Sequence, residues 1–94
     1  MNKLVTVQLT NGFGNNIFQH TAAKLVAHQS GVPVRCLPPT SDYYAIPDLQ
    51  DLGMEFVEPA FYIRSDTLSL NDKNYVASFE KAKRYMRVHL SGYF

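Results

Sequence analysis

The sequence is poor in several features that would place it in a common class of protein. Cysteine occurs once, at Cys36, which excludes an internal disulfide and a four-cysteine zinc site and is compatible with a reducing compartment. No apolar run approaches the ~20 residues that cross a bilayer. The chain also lacks an excess of charge of either sign, since its formal net charge is +1. Nothing in this balance predicts nucleic acid as a partner.

The beginning of the chain has neither the long apolar stretch nor the small-residue cleavage site of a signal peptide. It runs directly into an alternating apolar segment instead. We therefore expect a protein that is cytoplasmic or attached peripherally to a membrane.

What is present is an ordinary globular composition. The chain has 94 residues, of which 46% are hydrophobic and 18% are charged. This composition argues against disorder. The length is enough for one small domain with a modest core.

The first part of the chain predicts a βαβ unit over residues 3–37. We predict a strand at Lys3–Leu9, a glycine-rich turn at Thr10–Asn15, a helix over Asn16–Ser30 and a second strand at Val32–Leu37. Asn15 is predicted to cap the helix through its side-chain oxygen. The two strands of such a unit are parallel, and the crossover is right-handed.

Helical spacing predicts which face of this helix is buried. The apolar positions that share one face are Ile17, Phe18, Ala22, Leu25 and Val26.

The remainder, 38–94, is less regular. One short helix is predicted within Ser41–Leu52, a third strand at Met54–Val57 and a loop with at most one helical turn at Ser65–Lys73. The last segment predicts a helix from Ala77 and then a strand at Tyr85–Leu90.

The chain stops at two aromatic residues, Tyr93 and Phe94, although chain ends are usually polar. We therefore expect a single partial domain over 1–94, cut inside a larger fold. The aromatic end is also where a second chain could dock.

The turn Asn11–Asn16 is the first candidate for chemistry. A strand, a glycine turn and a helix N-terminus leave backbone N–H groups free for an anion, and glycine allows a phosphate to come close. The third glycine of a dinucleotide fingerprint and the lysine of a P-loop are both missing. From spacing alone, an anion site and a plain strand-to-helix connection are equally good interpretations, and no cofactor or metal is predicted.

The wider stretch resembles the N-terminal signature of the alpha-1,2-fucosyltransferases. That signature typically reads Gly-Gly-Leu-Gly-Asn-Gln-Met-Phe-Gln-Tyr-Ala. The corresponding residues here are Asn11, Gly12, Phe13, Gly14, Asn15, Asn16, Ile17, Phe18, Gln19, His20 and Thr21. The turn is also similar to the Gly-x-Phe-Gly-Asn turn of protein O-fucosyltransferases, and Gly92-Tyr93-Phe94 is similar to the start of the family's later Gly-Tyr-Phe-Gln-Ser stretch.

The resemblance implies an α/β fold, namely the N-terminal part of a Rossmann-like parallel-sheet domain in a two-domain glycosyltransferase. The donor would be GDP-fucose and the acceptor a galactoside. The donor-binding residues carried over are Gly12, Phe13, Gly14, Asn15 and Asn16, and no catalytic residue is assigned. The family's His-x-Arg-Arg-Gly-Asp-Tyr motif does not occur in this chain, so we expect the chain alone to be inactive.

Other interpretations stay open. The chain is alternatively a non-catalytic remnant, a module that binds a nucleotide or a partner, or one half of a split enzyme. Tyr43 and Tyr44 either stack on a sugar or cover the edge of the core. His20 is either a base near the turn or, more often for such a position, a helix-surface residue, and Cys36 is predicted to be a buried, unreactive thiol.

Overall fold

Five short strands form one parallel sheet in the computed structural model, which describes residues 3–94. Along the chain the elements are β1 (Leu4–Gln8), α1 (Phe13–His28), β2 (Val34–Leu37), α2 (Ile46–Asp51), β3 (Glu55–Phe56), β4 (Leu68–Leu70), α3 (Tyr75–Ser78), a 3-10 helix (Lys81–Arg84) and β5 (Arg87–Leu90). Residues 1 and 2 lie outside the described range. They belong to the stretch for which no signal peptide was predicted.

The strand order is β3-β2-β1-β5-β4, and every pairing in it is parallel. The α/β class with a parallel sheet is therefore confirmed, and the order is compatible with a fragment of a Rossmann-like sheet. The predicted pairing of the first two strands is also confirmed, with Val5 opposite Val34 and Val7 opposite Cys36.

One face of the sheet carries the core, because alternate strand residues point to the same side. The buried strand residues on that side include Val5, Val7, Val34 and Cys36, and the small residues of α1 pack against them. The prediction that Cys36 is buried is confirmed, and burial raises the pKa of its thiol to about 12, the direction expected of an unreactive thiol.

The opposite face of the sheet is more polar. Thr6 of β1 and His89 of β5 lie side by side there, and 2.7 Å separates the Thr6 hydroxyl from the His89 Nδ1. An irregular segment, 57–67, covers this face in place of a helix. All-parallel sheets normally carry helices on both faces, so this side of the sheet is only lightly covered.

Two predictions about α1 are wrong. The helix begins at Phe13, so Asn15 lies inside its first turn and makes no capping hydrogen bond. Phe18 and Leu25, predicted to face the core, are 64% and 55% exposed. The face turned to the sheet consists of Asn16, Gln19, Ala22, Ala23, Val26 and Ala27. The buried amides of Asn16 and Gln19 fix this rotation of the helix. A prediction from the spacing of apolar residues takes no account of buried polar residues.

The predicted loop at Ser65–Lys73 is also wrong, because it contains the edge strand β4. Three residues are too few to show an alternating pattern, and the strand forms because Leu68, Ser69 and Leu70 pair with β5. The short helix within Ser41–Leu52 and the third strand are confirmed as α2 and β3. Within residues 3–94 no helix has the length and apolar character needed to cross a membrane.

Candidate functional site

The turn after β1 lies at the point where the sheet reverses its order. From β1 the chain continues to β2 on one side, whereas β5 lies on the other side. Open parallel sheets bind ligands in the crevice outside the carboxyl ends of the strands at such a reversal. The turn Thr10–Gly12 and the last residues, Ser91–Phe94, both follow strands that end at this edge.

Gly12 makes the abrupt change from strand to helix. Its φ is 121°, a left-handed value that residues with a Cβ rarely adopt. The first hydrogen bond of α1 runs from the Asn16 N–H to the Gly12 carbonyl, at 3.1 Å. The N–H groups of Phe13, Gly14 and Asn15 precede that bond and have no hydrogen-bond partner among the described residues.

The electrostatics of this helix start favour an anion. The aligned peptide dipoles place partial positive charge on the free N–H groups. No acidic residue lies in the first turn of α1 to compete for them, and the side chains of Phe13 and Asn15 are exposed there. The arrangement can therefore accept a phosphate or carboxylate from solvent.

A buried polar network supports the turn from beneath. Asn16 and Gln19 are both 0% exposed. The Gln19 Oε1 accepts hydrogen bonds from the Thr10 N–H and the Asn16 Nδ2, each at 3.2 Å. Its Nε2 donates to the Thr10 hydroxyl at 3.0 Å and to the Gly92 carbonyl at 2.9 Å. The amide of Gln19 thus has all of its hydrogen bonds satisfied inside the fold.

Tyr43 closes the network from the loop after β2. Its hydroxyl accepts a hydrogen bond from the Gly12 N–H at 3.1 Å and donates one to the Asn16 Oδ1 at 2.6 Å. Burial raises the pKa of Tyr43, which keeps the hydroxyl protonated for that donation. Tyr43 is therefore part of the core, and its hydroxyl holds the turn in place through these two hydrogen bonds. Tyr44 is 73% exposed, so it stays available for stacking.

The five predicted donor-binding residues are consecutive in sequence, and the structure gives them different positions. Gly12, Phe13, Gly14 and Asn15 border solvent, whereas Asn16 lies beneath the backbone, where its Nδ2 also donates to the Thr10 carbonyl at 2.7 Å. Asn16 is placed to hold the turn, and the other four are placed to meet a ligand.

His20 lies apart from these residues. It lines a groove beside β2 and β3, together with Lys24 and Glu55. Burial, with a smaller contribution from Lys24, lowers the pKa of His20. The position of His20 therefore favours a helix-surface residue over a base near the turn.

The two stretches that carry the family resemblance meet in space. The hydrogen bond from Gln19 to the Gly92 carbonyl joins the first stretch to the second, across 73 positions of sequence. No family model, curated protein or solved structure matches the chain. The evidence for a functional site therefore consists of the geometry of the helix start and the types of residue found there.

Sequence reasoning missed the role of Gln19 and of Tyr43. Gln19 appeared only as one position of a motif, and Tyr43 only as a candidate for sugar stacking. The sequence carries no local signal for Gln19, because its burial depends on hydrogen bonds to Thr10 and to the distant Gly92. Nothing in the sequence places Tyr43 against Gly12, because α1, β2 and part of the following loop separate the two residues.

Proposed function

We propose that the chain is the N-terminal portion of a GDP-fucose-dependent glycosyltransferase that resembles the alpha-1,2-fucosyltransferases. In this proposal the sheet is part of a Rossmann-like domain of a two-domain enzyme. Gly12 and the first residues of α1, 13–15, contact the diphosphate of the donor, and Asn16 positions them. The remaining donor contacts, including the arginine-rich motif, and the galactoside acceptor site come from outside this chain.

The observation that carries the proposal is the surroundings of Gly14. Its backbone is ordinary helix, and an added Cβ would meet nothing within 4 Å apart from its chain neighbours and the backbone of its own helix. The fold therefore has no use for glycine at this position, where alanine would be the better helix former. A glycine in the first turn of a helix, beside free N–H groups, fits a ligand that comes close to the backbone.

The proposed chemistry assigns the turn to the leaving group. Transfer of a fucosyl group breaks the bond between the sugar and the terminal phosphate, and negative charge grows on that phosphate. N–H groups already aimed at the phosphate stabilise this charge without reorganising. The acceptor hydroxyl needs a base, which no residue of the turn supplies.

Gly14→Ala provides the test of this proposal. Because the added methyl group would stand between an anion and the helix start, we expect binding of GDP and of pyrophosphate to weaken about tenfold or more, roughly the loss of one charge-assisted hydrogen bond. The free energy of unfolding should rise by about 0.5 kcal/mol, since alanine restricts the unfolded chain. Calorimetric titration and urea unfolding measure the two quantities.

The control is Gln50→Ala, which changes an exposed residue of α2 away from the turn. It should leave both ligands at the wild-type affinity. Equal binding by Gly14→Ala and wild type, or no binding of either ligand by the folded wild-type chain, would contradict the proposal and favour a non-catalytic remnant.

A second candidate function is that of one half of a split enzyme. An apolar groove of about 370 Å³ lies between the outer face of α1 and the end of the chain. Phe18, Leu25, Val76 and Tyr93 line it, and the last two are 87% and 65% exposed. Exposed apolar residues in one patch commonly mark a missing partner.

Leu25→Asp tests the split enzyme. If a separate chain with the His-x-Arg-Arg motif completes the protein, the two should co-purify, and a carboxylate in the groove should abolish the complex. Gln50→Asp is the control for added charge. Co-purification that survives Leu25→Asp would exclude this groove as the interface.

A further inference from the structure

Cationic residues are concentrated at the amino end of the sheet. β1, β2 and β5 are neighbouring parallel strands, so they begin together at this end, opposite the turn that follows β1. The 3-10 helix precedes β5 and lies at the same end. Six of the nine lysines and arginines belong to these strand starts and to the 3-10 helix: Lys3, Arg35, Lys81, Lys83, Arg84 and Arg87.

Contacts join these six residues, which we call the basic face, into one surface. Lys3, Arg35 and Arg87 border a single hollow of about 480 Å³. The rest of the lining of this hollow is apolar and comes from Leu4, Val32 and Pro33. The Lys3 ammonium donates a hydrogen bond to the Ala82 carbonyl at 2.6 Å, so the hollow is continuous with the 3-10 helix and its three cations.

The basic face is positive although the whole chain is nearly neutral. Glu55 forms an ion pair with Arg35, and Glu80 forms one with Lys83 at 2.9 Å. The cations of the face outnumber these two carboxylates three to one, whereas the formal net charge of the chain is only +1. Positive charge is therefore separated to one end of the molecule, and the field at that end attracts anions.

An apolar side chain is exposed in the middle of this surface. Met86 links the 3-10 helix to β5 and is 44% exposed. Its backbone is fixed, because the Leu4 N–H donates to the Met86 carbonyl at 2.8 Å. Surface-bound proteins meet anionic membranes with cations against the headgroups and apolar side chains at the acyl boundary. Charge alone would suit an acidic protein equally well, and the exposed methionine favours a bilayer.

We propose that the basic face binds the surface of an anionic lipid bilayer. The exposed cations of the 3-10 helix meet the headgroups, and Met86 enters the layer beneath them. Because the face lies at the amino end of the sheet and the turn after β1 lies at the carboxyl end, a bound chain directs the turn away from the bilayer. Soluble ligands can then still reach the helix start. The inference does not depend on which ligand the turn binds.

Co-sedimentation with vesicles tests this inference. The chain should bind vesicles in which one third of the lipid is phosphatidylglycerol and the rest phosphatidylcholine, and should not bind pure phosphatidylcholine. Salt at about 1 M, where the Debye length is about 3 Å, should release it. Lys81→Glu should weaken binding about tenfold, because it replaces an attraction with a repulsion. The matched control is Lys73→Glu, an equal charge change at an exposed position after β4, which should bind within about twofold of wild type.

Four results would overturn the inference. One is equal binding of neutral and anionic vesicles, and another is an equal loss of binding by Lys81→Glu and Lys73→Glu. Release of the chain from vesicles by pyrophosphate at constant ionic strength would assign the hollow to a soluble phosphate. Binding of polyglutamate but not of vesicles, lost in Lys81→Glu, would assign the face to an acidic protein. Gly14→Ala should bind vesicles like wild type, which keeps this test separate from that of the turn.

Discussion

Replacing Gln19 with leucine is expected to lower the free energy of unfolding by about 2–4 kcal/mol. Leucine fills a similar volume but removes the amide that satisfies the Thr10 N–H and the Gly92 carbonyl. Each buried polar group left without a partner costs about 1–3 kcal/mol, and Gln19 is fully buried. Urea unfolding followed by circular dichroism measures the change.

The matched control for Gln19→Leu is Gln50→Leu, which makes the same substitution at an exposed position of α2. Its effect should stay within about 0.5 kcal/mol, as for most surface changes. Equal stabilities of the two variants would show that the network beneath the turn contributes nothing to folding.

Gly12→Ala carries the second large effect. With φ at 121°, alanine must adopt a strained backbone or pull the helix start out of place. Such strain costs about 1–3 kcal/mol. The added Cβ would lie 3.4 Å from the Asn15 Nδ2, an ordinary contact, so the cost lies in the backbone conformation. We expect a free energy of unfolding about 2 kcal/mol below wild type and loss of detectable pyrophosphate binding.

Gly14→Ala serves as the internal comparison for Gly12→Ala. The same substitution two residues along the chain meets no strain, so the two variants should change stability in opposite directions. If Gly12→Ala is as stable as Gly14→Ala, the left-handed conformation at Gly12 is not required by the fold. If it is destabilised but binds pyrophosphate normally, the turn is a connection only.

The sequence was sufficient to predict the first strand, helix and second strand because each has a strong local pattern. Lys3–Leu9 and Val32–Leu37 alternate with β-branched residues, and glycine marks both ends of the helix between them. The same logic predicted the free N–H groups at the start of α1, since a glycine turn between strand and helix leaves them without partners.

What could not be predicted depends on contacts between distant residues. The rotation of α1 is set by Asn16 and Gln19, whose burial is tolerated only because Thr10, Tyr43 and Gly92 complete their hydrogen bonds. β4 likewise exists only as an edge partner of β5. Local spacing contains neither fact, so Phe18 and Leu25 were misassigned to the core.

An amide-resolved NMR titration with GDP is the most direct test of the central claim that the turn binds a diphosphate. The largest shifts should fall on the free N–H groups of Phe13, Gly14 and Asn15. The Gly31 N–H, which follows the other end of α1 and is bonded to the His28 carbonyl, should not move. Saturable shifts confined to the helix start would agree with the account. GDP binding that leaves these three amides unchanged, or no binding at all, would contradict it.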